Sequence, residues 1–360
     1  MNEKLFDVFC ELLRTSLSNG IPSGFINENL SDADWQTIYG IACEQGVAGI
    51  VFPSIEKLQP CCRPPKEVLL NWYAATTCIQ KNNLKTKFLI ATVTRWFAAA
   101  GIKTVVLKGL ACAAYYPKPE LRLLGDFDCY LCGDYEKGNM MARMNGAFVE
   151  NHDYKHSHIF YKGLMVENHR FFTKIRGRKI NKSFERRLVG IVQDFVCNKD
   201  SSETPIVPPA QFNALFFAVH AYTHFMDERL TIRQVCDWAL FLKKEHDNID
   251  WQDFYQWMER LGMTRFVGVL NNISRRFVDI DCDIVQTKDK ILEDKVLCDM
   301  LAKGHSERNN KNIGIVKYRL CQLCATLNAD WKYRTFSGES AAKHYLRGLW
   351  YYLSERNPSL

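Results

Sequence analysis

The stretch LRLLGDFDCYL, residues 121–131, sets two carboxylates, Asp126 and Asp128, one residue apart in an otherwise apolar run. Along a strand, side chains at i and i+2 leave the same face, so the two acids project side by side. Like charges at that distance raise each other's proton affinity unless a cation lies between them. A hard dication fits, because Mg²⁺ is held by one or two carboxylates together with water and substrate phosphates. A third acid, Glu167, stands in LMVENH, again among apolar residues, on a segment able to pair beside the first. Three carboxylates on neighbouring strands can hold two Mg²⁺ ions and align a hydroxyl for in-line attack on a phosphate. This requires Glu167 to face the two aspartates, with none of the three locked into a pair with lysine or arginine. His169 shares the Glu167 face.

Other chemistry-bearing residues are spaced less tellingly. His220 and His224 lie four apart in a helical pattern and share a face at metal-ligand spacing. No acid between them makes a metalloprotease motif, and packed or hydrogen-bonded histidines are the simpler expectation. With Asp237 and His169 they are candidates for an acceptor pocket between the central unit and the C-terminal helices. His156 and His158 alternate on one strand and could face the same cleft. Two CxxC pairs, Cys129/Cys132 and Cys321/Cys324, are poor zinc ligands: i and i+3 on a strand face opposite ways, and the second pair lies in an apolar helical pattern. The ending HYLRGLWYYLSERNP combines aromatic and basic residues; packing is expected over a membrane-surface helix.

The elements that must position these groups are legible from periodicity. The first hundred residues are helical, with Ser31 or Asp32 as a cap for DWQTIYGIACEQG and a long apolar-striped segment after Pro65 that ends at Gly101. IKTVVLKG reads as a short buried strand, LACAAYYP as a small-residue helix, and DYEKGNMMARMNGAFVE as helix, turn and strand. HSHIFYKGLMVENHRFF reads as a hairpin turning at Lys162-Gly163. Beyond Pro208 the chain is helical again. Strands confined to the middle predict an α+β fold, mainly helical, with one small mixed sheet flanked by helical regions. The expected division is an N-terminal helical region (1–98), an α/β core (99–200) and a C-terminal helical domain (201–360).

The combination of VVLKGLACAAYYPKPELRLLGDFDCYL with MVENHRFF resembles the uncharacterised nucleotidyltransferase family, of the polymerase-beta-type superfamily. The flanking DWQTIYGIACEQGV, HAYTH, LTIRQVCDWALFLKK and DWQDFYQWMERLG are similar to that family's helical regions, so the resemblance spans most of residues 30–270. It implies that Asp126, Asp128 and Glu167 are catalytic and metal-binding, with Glu167 helping to activate the acceptor. Gly109 stands at the turn that approaches the triphosphate, with Lys108 beside it, and Arg122 matches the basic residue before the acidic strand; these three would bind nucleotide. One position departs. Relatives in the wider superfamily carry Gly-Ser at the turn, whereas this chain has Gly109-Leu110, leaving phosphate contact to backbone N–H groups, Lys108 or Arg122. The implied activity is Mg²⁺-dependent transfer of a nucleoside monophosphate from a nucleoside triphosphate to a hydroxyl of a small molecule, sugar or protein. The alternative is a catalytically inactive nucleotide-binding or regulatory module with the same fold.

Composition sets the outer bounds. The 360 residues are 47% hydrophobic and 24% charged, an ordinary globular balance. The first residues lack a basic start before an uninterrupted apolar core, so no signal peptide is expected, and no run approaches the roughly 18 apolar residues of a spanning helix. Fourteen cysteines scattered through a chain of this length suggest reduced thiols and a cytoplasmic protein. The +7 net charge is uneven: Tyr154 to Leu188 holds ten Lys/Arg against two Glu, and Leu301 onward ten against four acids. Such patches suit an anionic ligand, a nucleotide before a nucleic acid, although a solvated face explains KIRGRKINKSFERR equally well.

Overall fold

A computed structural model describes residues 3–22, 30–151, 154–200, 203–302, 323–324 and 326–354. The architecture is α+β and mainly helical, around one five-stranded mixed sheet. Four helices come first: α1 (Glu3–Ser18), α2 (Asp32–Glu44), α3 (Ala48–Glu56) and α4 (Lys66–Ala99). Ser31 caps α2, its hydroxyl accepting from the Asp34 N–H while the Asp34 side chain accepts from the Ser31 N–H, a reciprocal capping box. The segment of α3 is apolar all round and carries Pro53, so it shows no amphipathic period by which sequence could single it out.

The sheet follows, built from β1 (Val105–Val106), β2 (Phe127–Tyr130), β3 (Phe148–Glu150), β4 (His156–Tyr161) and β5 (Leu164–His169) in the order β1-β2-β5-β4-β3. Between strands lie α5 (Gly109–Ala113) and α6 (Tyr135–Met144). β4 and β5 form the predicted hairpin, with Lys162 at φ 47° and Gly163 at φ 88°, the paired left-handed residues of a tight two-residue turn that matches strand twist. β5 pairs parallel to β2, so Asp128 lies directly across from Glu167, and Glu167 across from His158 on β4.

Alternation then divides the sheet into two faces. Phe127 and Cys129 of β2, Val166 of β5 and Ile159 of β4 are buried with Leu89, Val93 and Phe97 of α4 and Ala142 of α6. Ser157 and Asn168 also point this way and meet Asn139 of α6, Ser157 donating at 2.6 Å and Asn168 at 3.0 Å. The opposite face carries Asp128, Glu167, His169, His156 and His158. The chemistry-bearing residues therefore occupy one side of the sheet, and the apolar ones hold the other against helices.

After the sheet come α7 (Lys179–Val196), α8 (Ala210–Asp227), α9 (Ile232–Glu245), α10 (Trp251–Leu261), α11 (Thr264–Phe277), α12 (Lys290–Leu301) and α13 (Ala341–Ser354). One continuous apolar core joins α1–α3 to α8–α12, with Phe9, Trp72, Phe216, Trp238, Phe254 and Phe266 all buried in it. Buried Gln45 fastens the two ends of the chain across this core: its Nε2 donates to the Met300 carbonyl at 2.9 Å and its Oε1 accepts from the Ile232 N–H at 2.9 Å. On α13 the aromatic ending departs from the packed role expected of it. Leu346 and Trp350 are 65% and 68% exposed, while Ala341 is buried in the core and Tyr351 lies against Gly177. Among the described residues no helix is long and apolar enough to cross a membrane.

Candidate active site

Asp126 and Asp128 open onto a cleft of about 160 Å³ between the start of β2, the β1–α5 turn, α8 and α9. Its walls include Lys108, Gly109, Arg122, His220, His224, Arg233 and Asp237. The turn that presents Lys108 and Gly109 is conformationally unusual. Lys108 takes φ 41°, ψ −144°, and Gly109 φ 33°, in a region where a side chain is strained. Gly109 is thus required for its backbone; Leu110 behind it turns away from the cleft and packs with the sheet and α4.

Asp128 is buried and held by a lysine and a histidine. Lys108 Nζ lies 2.9 Å from Oδ1, and His169 Nε2 3.0 Å from the same oxygen. This corrects one expectation: the three carboxylates are not free of lysine. A carboxylate removed from water needs a counter-charge, and the Lys108 stem is directed at it by the turn. Burial alone would lower the lysine pKa, but Asp128, Asp126 and Glu167 together outweigh it and hold the ammonium well above its ordinary value.

Glu167 faces the same way. Its Oε2 is 3.3 Å from His169 Nε2, and donor atoms of Asp128, Glu167 and His169 lie within 4.8 Å of one another. Burial would raise the Glu167 pKa, but the His169 hydrogen bond, the Lys108 charge and a hydrogen bond with Asp128 drive it far below the carboxylate range. Asp126 differs: burial, then the Asp128 charge, push its carboxyl upward. A dication beside Asp126 would reverse that shift, and the oxygen donors of Asp126, Asp128 and Glu167 suit a hard ion.

His169 is buried against Asp128 and Glu167 and is not among the residues lining the cleft. Nδ1 sits 3.1 Å from the Phe171 carbonyl and Nε2 faces Asp128 and Glu167, so both ring nitrogens must donate. Although burial opposes protonation, the hydrogen bonds to Asp128 and Glu167 raise its pKa.

The sequence assigns Arg122 to the nucleotide site and Asp237 to an acceptor pocket. The structure joins them to each other: Arg122 Nε donates to Asp237 Oδ1 at 2.8 Å and Nη2 to Oδ2 at 2.5 Å, a forked pair, with Tyr116 Oη donating to Oδ1 at 2.7 Å. Both line the cleft from below as part of its wall. The loop that carries Arg122 is fixed by Asn83 of α4, whose Nδ2 donates to the Glu120 and Arg122 carbonyls and whose Oδ1 accepts from the Leu124 N–H at 3.0 Å. His220 and His224 do reach the cleft, their rings edge to face at 4.4 Å; burial, then Lys108 and His224, hold His220 well below its usual pKa.

Sequence reasoning missed Arg233. It stands four residues before Asp237 on α9, so the helical spacing that placed Asp237 also placed it on the cleft side. Its Nη1 donates to the Leu123 carbonyl at 3.2 Å, while its buried Nε finds no hydrogen-bond partner among the described residues. Burial and the neighbouring Arg122 lower its pKa.

Of the cysteine pairs, Cys129 and Cys132 pack into the protein, whereas Cys324 is exposed. Cys129 is buried on the helix side of the sheet and Cys132 packs against the other core; Cys321 lies outside the described residues. The basic stretch is partly neutralised: Arg170 pairs with Glu136, Lys174 with Asp227, and Arg187 with Asp253 at 3.1 Å.

A family described as uncharacterised nucleotidyltransferase matches residues 31–279, more than half of the chain. The chain belongs to this family. No curated protein and no solved structure matches it. The matched span runs from the cap of α2 to the end of α11, so it contains the whole sheet, the cleft and every residue that lines it.

Proposed function

We propose that this chain transfers a nucleoside monophosphate from a nucleoside triphosphate to a hydroxyl acceptor, with Mg²⁺ held by Asp126, Asp128 and Glu167. One observation carries the reading: the paired carboxylates open onto the same small cleft as the crowded cations Lys108 and Arg233. Carboxylates alone favour a cation and cations alone favour an anion; together they favour a metal–phosphate complex. The cleft is smaller than the roughly 300–1,000 Å³ of a complete small-molecule site, which suits phosphates inside and the nucleoside outside.

Bound Mg²⁺ would supply electrostatic stabilisation of the charge that develops on the transferring phosphate. The chain's own residues position the rest. Arg233, with an unsatisfied N–H in the wall, meets phosphate oxygens. Lys108 is a point charge on a flexible stem and can exchange its contact with Asp128 for a phosphate. The His169 cation holds Asp128 and Glu167 in fixed rotamers, so they need little reorganisation on binding. His220, partly buried and with its pKa held down, lies on the wall where an acceptor hydroxyl would enter. A cytoplasmic setting agrees with the scattered cysteines.

The inactive-module reading has one observation in its favour: the Lys108–Asp128 contact already neutralises one of the carboxylates. Calorimetric titration with ATP, CTP, GTP and UTP, with and without Mg²⁺, separates the two. Metal-dependent binding that Asp126→Asn abolishes supports transfer; nucleotide binding indifferent to Mg²⁺ and to that change supports the module. Nucleic-acid end modification is less favoured, since acidic partners already engage Arg170, Lys174 and Arg187 of the basic stretch.

A further inference from the structure

On the same sheet face, away from the cleft, the strand register brings two more ligating side chains to Glu167. His156 and His158 leave β4 on one side, two residues apart, and His158 stands across from Glu167 of β5. His156 Nε2 lies 3.9 Å and His158 Nε2 3.7 Å from Glu167 Oε1, and the three donor atoms all fall within 4.8 Å of one another. We infer that His156, His158 and Glu167 form a second metal site, selective for a borderline divalent ion of the Zn²⁺ or Co²⁺ class.

Three arguments converge. The first is distance. A tetrahedral ion with bonds of about 2.0–2.1 Å needs ligand atoms roughly 3.4 Å apart, so each histidine nitrogen, at 3.9 Å and 3.7 Å, must close on Glu167 by only a few tenths of an ångström, while the two histidines start within 4.8 Å of each other. Side-chain rotation on a rigid two-strand platform supplies that. The second is chemistry. Two imidazoles and one carboxylate suit zinc and its neighbours, whereas the oxygen donors at Asp126 and Asp128 suit Mg²⁺, so the two sites sort ions by hardness. The third is orientation. Glu167 divides its two oxygens, Oε2 hydrogen-bonded to the His169 cation and Oε1 turned to the histidine pair. A ligating carboxylate fixed by a hydrogen bond from behind is what a well-ordered metal site requires. Three protein ligands leave a fourth position for water, and His158, about one third exposed, gives that position access to solvent.

The inference stands on the β4–β5 geometry and shares Glu167 with the nucleotide reading, which the Asp126 and Mg²⁺ titration tests separately. The probe is Co²⁺ added to the full chain in saturating Mg²⁺, followed by calorimetry and by its visible absorption, which reports four-coordinate geometry. One Co²⁺ per chain with a tetrahedral spectrum is expected, displaced by Zn²⁺. His158→Ala, truncating a partly exposed side chain, and His156→Gln should each weaken binding at least about tenfold and abolish the spectrum, while Asp126→Asn leaves both intact. Circular dichroism on each variant verifies the fold, and His158→Ala decides if His156→Gln is unstable. No tetrahedral Co²⁺ in the parent chain, unchanged affinity in His158→Ala, or loss in Asp126→Asn instead would overturn it.

Discussion

His169 carries the most specific consequence at the scale of single residues. Its folded pKa is raised above the ordinary value of 6.5, so its stabilising contribution is complete below about pH 6.5 and is lost as pH rises through the folded value. Glu167 is shifted the other way, so its contribution is present above the ordinary glutamate value and is lost as pH falls. Thermal unfolding between pH 6 and 9 should therefore show a fall in Tm for the parent chain and a flatter profile for His169→Gln; parallel profiles would contradict the doubly protonated ring. The Arg122–Asp237 pair makes a second prediction. Both side chains are largely buried, 5% and 12% exposed, so Asp237→Ala strands a guanidinium and should cost about 3–5 kcal/mol in denaturant unfolding. Tyr116→Phe, which removes one hydroxyl donor from the same carboxylate, should cost only about 1 kcal/mol. Asp128 and Glu167 were legible in sequence because charge inside an apolar strand is costly, and Asp126, just before β2, by its spacing from Asp128. The Arg122–Asp237 partnership was not, since 115 residues separate the two and nothing local links them.

At the scale of elements, two short devices aim the site. The Lys162-Gly163 turn sets the β4–β5 register that places His158 opposite Glu167. Gly163→Val must hold a β-branched residue at φ 88°, and a cost of about 1–2 kcal/mol is expected, together with weakened Co²⁺ binding if the register slips. Asn83 fixes the loop before β2 through three backbone hydrogen bonds. Asn83→Leu keeps the volume but removes the donors and acceptor; Mg²⁺-dependent nucleotide binding should weaken at least about tenfold while the fold, monitored by circular dichroism, persists. Unchanged binding would show that the loop needs no tether. The hairpin was readable from Lys-Gly between two strand-like runs. The role of Asn83 was not, because a polar residue on a long helix ordinarily signals only a wet face.

For the whole molecule, the N-terminal and C-terminal helices share one core, stitched by Gln45 to Ile232 and Met300. Gln45→Ala leaves a buried N–H and a buried carbonyl unpaired and should cost about 1–3 kcal/mol. Hydrogen exchange should then show amides of α2 and α9 losing protection together; loss confined to α2 would argue for separate folding units. Sequence by itself determined the helix–sheet–helix order, the hairpin and the acidic strand, since each follows from short-range periodicity and turn chemistry. Only the tertiary structure decided which distant groups meet. The parallel pairing of β2 with β5 set Glu167 beside Asp128, the packing of α9 brought Arg233 and Asp237 to the cleft, and Lys108 became the partner of Asp128. Burial makes a counter-charge obligatory, but chain proximity does not say which one will arrive; three-dimensional packing does.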